Sequence, residues 1–273
     1  FVTLLENHPW FELVAVAASP RSAGKTYEEA VGGRWKMKTP MPEAAKKLVV
    51  LNVNQVEEVA AQVDFVFSAV DMSKDEIRAI EEAYAKAEVP VVSNNSAHRW
   101  TPDVPMMVPE LNPEHAEIIP YQRKRLGTKR GFIAVKPNCS IQSYTPALHA
   151  LREFEPTLVV ATTYQAISGA GKTFKDWPEM IDNVIPYIAG EEEKSEQEPL
   201  RIWGKIEDGV IKKAEGPLIT TQCIRVPVED GHTAAVFVNF KKKPTKEEII
   251  DRWNNFSGEP QKLNLPSAPK QFI

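Results

Sequence analysis

Short apolar runs set between helical stretches constrain this chain more than any other feature of it. Glu12-Leu-Val-Ala-Val-Ala-Ala-Ser19 is apolar from Leu13 to Ala18. A strand reads that way when both of its faces are covered, as in a parallel sheet. Asp64-Phe-Val-Phe-Ser-Ala-Val70 repeats the pattern and leads into a helical stretch, Lys74 to Ala87. Val89-Pro-Val-Val-Ser93 and Gly131-Phe-Ile-Ala-Val135 follow. Strands alternating with helices predict an α/β chain with a doubly wound parallel sheet. Right-handed crossovers gather the strand C-termini on one edge, where such sheets place their chemistry. The segments leaving those strands are therefore the first candidates for a site: Ser19 to Lys25, Asn94 to Arg99, and Lys136-Pro-Asn-Cys139.

From Lys136 onward the pattern changes. A helix is predicted over Ser140–Phe154 and a β-rich strand over Thr157–Tyr164, followed by Gln165-Ala-Ile-Ser-Gly-Ala-Gly-Lys172. A polar helical region spans Glu191 to Arg201, and strands are predicted at Cys223–Val228 and Thr233–Phe240 around a turn at Gly231. More strands with fewer helices predict a mixed sheet, hence a second, α+β domain. The division is placed near Lys136, giving domains of residues 1–136 and 137–273.

Composition narrows the classes. Hydrophobic content of 42% and charged content of 26% are those of a soluble globular protein. No apolar run reaches the ~18 residues of a membrane span. A net charge of −4 argues against nucleic acid as a partner, and Arg123-Lys-Arg125 with Lys129-Arg130 reads as a solvated loop. Two cysteines make no disulfide framework, so a reducing cytoplasm is expected. No metal site is expected. There is no G-x-G-x-x-G, and glycine is scarce, 13 in 273. Phe1 to His8 is apolar at helical spacing with no capping residue ahead of it, and Gln261 to Ile273 is an extended, Pro-punctuated run. The expectation is a chain cut at both ends; if it is a dinucleotide enzyme, its phosphate loop lies upstream of Phe1.

Cys139 leaves a strand at a Pro-Asn turn and opens the predicted helix, whose unpaired N–H groups would favour a thiolate. Gln165, Arg225 and His232 also lie at predicted strand ends or turns. The set suits covalent catalysis on a carbonyl compound: Cys139 attacks, His232 moves a proton, Arg225 grips an anion with its planar fork, and Gln165 hydrogen-bonds near the reacting carbon. Taken singly each has an ordinary alternative. Cys139 reads equally as a buried structural cysteine, His232 as a turn residue, and Arg225 as the partner of a structural carboxylate. Glu191-Glu-Glu-Lys194 reads as a solvated acidic face, and Cys223 as packing.

Pro137-Asn138-Cys139, Gln165-Ala-Ile-Ser168-Gly169-Ala170-Gly171, Glu191-x-x-Lys194 and Arg225-Val-Pro-Val-x-x-Gly231-His232 together resemble the aspartate-β-semialdehyde dehydrogenase family, in its archaeal and fungal branch. The resemblance runs in order over nearly the whole chain. It implies a Rossmann-like NADP-binding domain and a catalytic and dimerisation domain. It also implies reductive dephosphorylation of L-4-aspartyl phosphate to the semialdehyde through a cysteine thioester, in the biosynthesis of lysine, threonine, methionine and isoleucine. Carried over, Cys139 is the nucleophile, His232 the acid/base group, Gln165 and Asn138 orient the acyl group, and Arg225 clamps the substrate carboxylate. Arg99 with Asn95 beside it, and Lys194 with Glu191, serve substrate and phosphate. Ser19, Arg21, Ser22 and Lys25 take the cofactor, their cationic and hydroxyl groups suiting the 2′-phosphate of NADP. Ser68, Ala69, Ser168, Gly169 and Gly171 line its nicotinamide side. A homodimer or homotetramer is implied. Malonyl-CoA reductase, on the same scaffold and with the same cysteine, is the alternative. N-acetyl-γ-glutamyl-phosphate reductase shares the plan but departs from Arg225-Val-Pro-Val. An inactive remnant with a structural or regulatory role is a reading of another class.

Overall fold

Valine and alanine, flat enough to be covered on both faces, make the strands of the first half. The computed structural model describes residues 1–273, in two units: Phe1–Pro105 with Glu117–Lys136, and Met106–Ala116 with Pro137–Ile273. In the first, β1 (Val16–Ala18) pairs with β2 (Val50–Asn52). Beside this pair in sequence, β3 (Val66–Ser68), β4 (Val91–Ser93) and β5 (Ile133–Val135) form a three-stranded sheet in the order β3-β4-β5. Every pairing is parallel. One expectation is corrected. β1 is half-buried along its length, because β2 is its sole neighbour in the sheet.

The Lys74–Lys86 helix begins where Ser73 and Glu76 form a capping box, each side chain accepting the other's backbone N–H. It buries Ile77, Glu81, Tyr84 and Ala85, one helical stripe. Gly131, just ahead of β5, passes so close to this helix that a Cβ would lie 1.8 Å from the Ala85 carbonyl oxygen. The loop into β5 is fixed by the Glu88 carboxylate, which accepts the N–H groups of Gly131, Arg130 and Lys129. Those bonds push its pKa down to about 2.

The second unit is built on β6 (Pro156–Gln165), β9 (Leu218–Arg225) and β10 (His232–Phe240). A separate hairpin joins β7 (Lys205–Glu207) to β8 (Val210–Lys212). β9 and β10, on either side of the turn at Gly231, are not adjacent in the sheet. β6 lies between them, antiparallel to β10 and parallel to β9. The predicted Ser140–Phe154 helix is also corrected. It breaks into a 3-10 turn, Ser140–Ser143, a short helix, Thr145–His149, and a second 3-10 turn, Arg152–Phe154. Pro146 has no N–H to carry a helical ladder back into the first turn. Met106–Ala116 is bolted to this unit by His115, whose Nε2 donates to the Gly204 carbonyl while Nδ1 accepts from Asn112.

Burial lowers the pKa of His98, His115 and His149, the last to about 4 with the Arg152 charge adding to the effect. In the unfolded chain these rings take up protons near the ordinary histidine value; in the fold they do not. Stability therefore falls as pH drops through ~6.5, by at most about 1.4 kcal/mol per pH unit for each histidine. The urea midpoint is expected to be lower at pH 5 than at pH 7, a window above carboxylate titration. Equal midpoints would contradict this.

Candidate active site

Strand period decides which residues meet. In β6 the odd-numbered positions Val159, Ala161, Thr163 and Gln165 are buried, and the even positions face the other way. The register places Gln165 opposite His232 of β10 on one side and Arg225 of β9 on the other. Three strands thus deliver three of the predicted residues to one rung and one face of the sheet. The backbone of Arg225 is held on its outer side by two 2.9 Å hydrogen bonds exchanged with Ile185.

The fourth residue arrives from outside the sheet. Cys139 is exposed, and its Sγ lies 3.4 Å from Nε2 of His232. The helix-dipole expectation is not met, since Cys139 caps a four-residue 3-10 turn with no side-chain capping bond. The ring and Arg225 are the charge-handling groups near the sulfur instead. Ala166 serves both of them: its N–H donates to Nδ1 of His232 at 3.1 Å, and its carbonyl accepts from Nη1 of Arg225 at 2.7 Å. Arg225 is buried yet makes no salt bridge, which leaves the rest of its fork free for an anion. Burial lowers its pKa, opposed by the nearby Glu191 and Cys139. Gly169, in the same turn, packs against both side chains.

Glu191 is a hub rather than part of a solvated face. Its carboxylate accepts from Lys194 at 2.7 Å and from the Asn138 amide at 3.0 Å. Burial opposes its charge, but the hydrogen bonds of Lys194, Asn138 and Gln165 outweigh that and hold its pKa below the usual carboxylate value. Asn138 shapes the turn around Cys139: its Oδ1 accepts from the N–H and the hydroxyl of Ser140. Its own N–H donates to the buried Glu198 at 2.5 Å. Two further glutamates of the Glu191–Ile202 helix take the outer N–H groups of β9, Glu192 from Cys223 and Glu196 from Thr221. Glu192, Glu196 and Glu198 were missed from sequence; the signals were Glu192 with Glu196, and Glu191 with Ser195 and Glu198, each set at helical spacing. Cys223 is fully buried, 3.5 Å from Ser195 Oγ.

Pro199 interrupts this helix and cannot donate to the Ser195 carbonyl four residues earlier. The buried Tyr144 hydroxyl donates to that carbonyl instead, at 2.7 Å. Tyr144→Phe is expected to destabilise the protein by about 1–3 kcal/mol, the cost of a buried unsatisfied acceptor. An unchanged denaturation midpoint would contradict it.

The remaining predicted residues lie in the first unit. Asn95 donates from Nδ2 to Ser68 Oγ and to the buried Glu81, tying the ends of β3 and β4 together, with the exposed Ala69 beside them. Arg99 is buried and donates from Nε to the Lys136 carbonyl. After β1, Ser19 to Lys25 form a tight turn through Ser22 N–H to Ser19 O. Arg21 and Lys25 are exposed there. Two free cations, two hydroxyls and a turn at the C-terminal end of a parallel strand fit a phosphorylated dinucleotide. Lys194 belongs to the second unit, as do the exposed Ser168 and Gly171.

A parallel α/β unit followed by a mixed-sheet unit that pairs a cysteine with a histidine is matched in both parts by semialdehyde dehydrogenases. The family model "Semialdehyde dehydrogenase, NAD binding domain" matches residues 1–119, and "Semialdehyde dehydrogenase, dimerisation domain" matches residues 147–272. The aspartate-semialdehyde dehydrogenase of Aspergillus fumigatus is 40% identical over 279 residues, covering all of this chain and 75% of that protein. That of Methanothermobacter thermautotrophicus is 39% identical over 274 residues, covering all of this chain and 76% of the relative. The crystal structure of the Candida albicans enzyme with NADP superposes with a TM-score of 0.84 at 34% identity, covering 99% of this chain and 76% of that one. This chain belongs to the aspartate-semialdehyde dehydrogenase family.

Proposed function

We propose that this protein interconverts L-4-aspartyl phosphate and L-aspartate 4-semialdehyde with NADP, through a thioester on Cys139. The observation that carries the reading is the Cys139–His232 pair held on the same sheet rung as Arg225 and Gln165. In the reductive direction the Cys139 sulfur attacks the acyl carbon; the C–S bond forms and the bond to phosphate breaks. Nε2 of His232 faces that sulfur and handles the proton there. Arg225 offers its open fork to the α-carboxylate. Gln165 and Asn138, both bonded to Glu191, orient the acyl group. Lys194, held by Glu191, and Arg99 with Asn95 supply cationic and amide donors for phosphate. Bound NADPH supplies the hydride that takes the thioester to the aldehyde level. Ser19, Arg21, Ser22 and Lys25 would hold its 2′-phosphate end; Ser68 and Ala69 of the first unit, and Ser168, Gly169 and Gly171 of the second, are the residues that would line its nicotinamide side.

The test is reduction of NADP⁺ by L-aspartate semialdehyde, with and without phosphate. Phosphate-dependent reduction, weaker with NAD⁺, is expected; no reduction, with NADPH oxidised by malonyl-CoA instead, would overturn the assignment. The named relatives favour the aspartyl substrate.

The assembly is a homodimer or a homotetramer, formed on the open face of the β10-β6-β9 sheet. That face carries Tyr164, Leu218 and Phe237, which are 38%, 70% and 61% exposed, and the second unit matches a dimerisation domain. Phe237→Asp should shift sedimentation to the monomer; an unchanged coefficient would place the interface elsewhere. Two cysteines that form no disulfide suit a reducing, cytoplasmic compartment.

A further inference from the structure

We propose that Glu198 is a positioning residue for the nucleophile: from the Glu191–Ile202 helix it holds the backbone of Asn138, and so sets where the Cys139 sulfur stands against His232. This rests on the reading of Cys139 and His232 as the reacting pair. Glu198 is fully buried within the second unit. Its Oε2 accepts the Asn138 N–H at 2.5 Å, a short bond to a charged acceptor. Burying a carboxylate brings little net stability, because lost hydration offsets the bonds gained. What such a bond supplies is a fixed direction.

The turn needs that direction from outside itself. Cys139 stands at the head of a four-residue 3-10 turn, with no side-chain capping bond and its own side chain exposed. So short a turn has poorer hydrogen-bond geometry than an α-helix and little rigidity of its own. The residues on either side of Cys139 are tied instead to one helix. Asn138 gives its N–H to Glu198 and its Nδ2 to Glu191, 3.0 Å from the nearer oxygen. Ser140, whose N–H and hydroxyl are taken by Asn138 Oδ1, sets its own Oγ 3.1 Å from Ser195 Oγ. Glu191, Ser195 and Glu198 share one face of that helix. The sulfur is thereby presented 3.4 Å from Nε2 of His232, which belongs to a different element, β10. Without the Glu198 acceptor, Asn138 is held to this helix by its side chain, and the backbone leading into Cys139 is free to swing. A shift of about 1 Å in the sulfur is enough to spoil its meeting with the ring.

The test uses the intact protein. Glu198→Gln keeps an oxygen where the Asn138 N–H points, and Glu198→Ala removes it. The first readout needs no substrate: the rate at which iodoacetamide alkylates Cys139 at pH 7, with Cys223 buried. Glu198→Ala is expected to slow it by about ten- to hundredfold, the effect of losing a hydrogen bond to a charged group. Glu198→Gln should stay close to the wild-type rate. In a His232→Asn background Glu198→Ala should add nothing further, because no ring is left for the sulfur to lose. A purely structural role would lower the melting temperature in both backgrounds without this dependence on His232. The second readout is turnover of L-aspartate semialdehyde. There Glu198→Ala should lower kcat by about 10²-fold, with KM changing little because Arg225 is held by other strands. Wild-type protein that turns over no semialdehyde would count against the substrate assignment alone, and the alkylation rates would then decide. If Glu198→Ala does not fold, Glu198→Asp takes its place, keeping the charge but drawing the carboxylate back by one methylene. Alkylation at the wild-type rate in that variant, equal slowing in Glu198→Gln, or the same slowing with and without His232 would each overturn the proposal.

Discussion

Cys139→Ala is expected to lower kcat by about 10⁴-fold or more, to the floor of the assay, as removal of a covalent nucleophile does. The fold should be unaffected. The side chain is exposed, it caps only a short turn, and the bonds that shape that turn come from Asn138 to Ser140 and from Asn138 to Glu198. The exposed side chain contributes little to the core, so the melting temperature should stay close to the wild type. The contrast between unchanged stability and lost turnover separates a chemical role from a structural one. Cys223→Ala provides the control: its sulfur is buried against Ser195, and it should cost stability while leaving kcat near wild type. Retained activity in Cys139→Ala would remove the covalent mechanism.

Arg225→Lys should reduce kcat/KM by about 10²–10³-fold, with KM for the aspartyl substrate rising, even though the charge is kept. The guanidinium spends one nitrogen on the Ala166 carbonyl and keeps the others in a rigid plane toward the site. An ammonium that reached the same carbonyl would have no second, coplanar donor for a carboxylate. The sheet register is unaffected, because Arg225 is pinned through its backbone to Ile185 and to β6. Kinetics equal to wild type would sink the clamp role. A fall in kcat with KM unchanged would move Arg225 from carboxylate binding to stabilisation of the reacting oxygen.

The chemistry of this site was legible in the sequence because chemical residues stood at the ends of readable strands. Gln165 closes the alternation of β6, Arg225 closes β9, and His232 opens β10. Their convergence was not legible. The strands on either side of Gly231 carried no sign of what lies between them, and only the insertion of β6 there brings His232, Gln165 and Arg225 to one rung. The polar run from Glu191 hid its function for a related reason. Glutamates that cap an edge strand and a loop from a neighbouring helix have the composition of a solvated face, and only their partners distinguish them. The helix after Cys139 was overextended because apolar spacing continues through Pro146, where the backbone ladder cannot. In the first unit the apolar runs located β1, β3, β4 and β5, but periodicity alone did not show that β1 has β2 as its sole partner.

The most direct measurement is the mass of the Cys139 peptide after the protein is incubated with NADP⁺ and L-aspartate semialdehyde in the absence of phosphate. Oxidation should then stop at the acyl-enzyme, leaving an aspartyl adduct on Cys139 that disappears when phosphate is added and is absent in Cys139→Ala. An adduct on another residue, or NADP⁺ reduction with no adduct on any peptide, would contradict a thioester at Cys139.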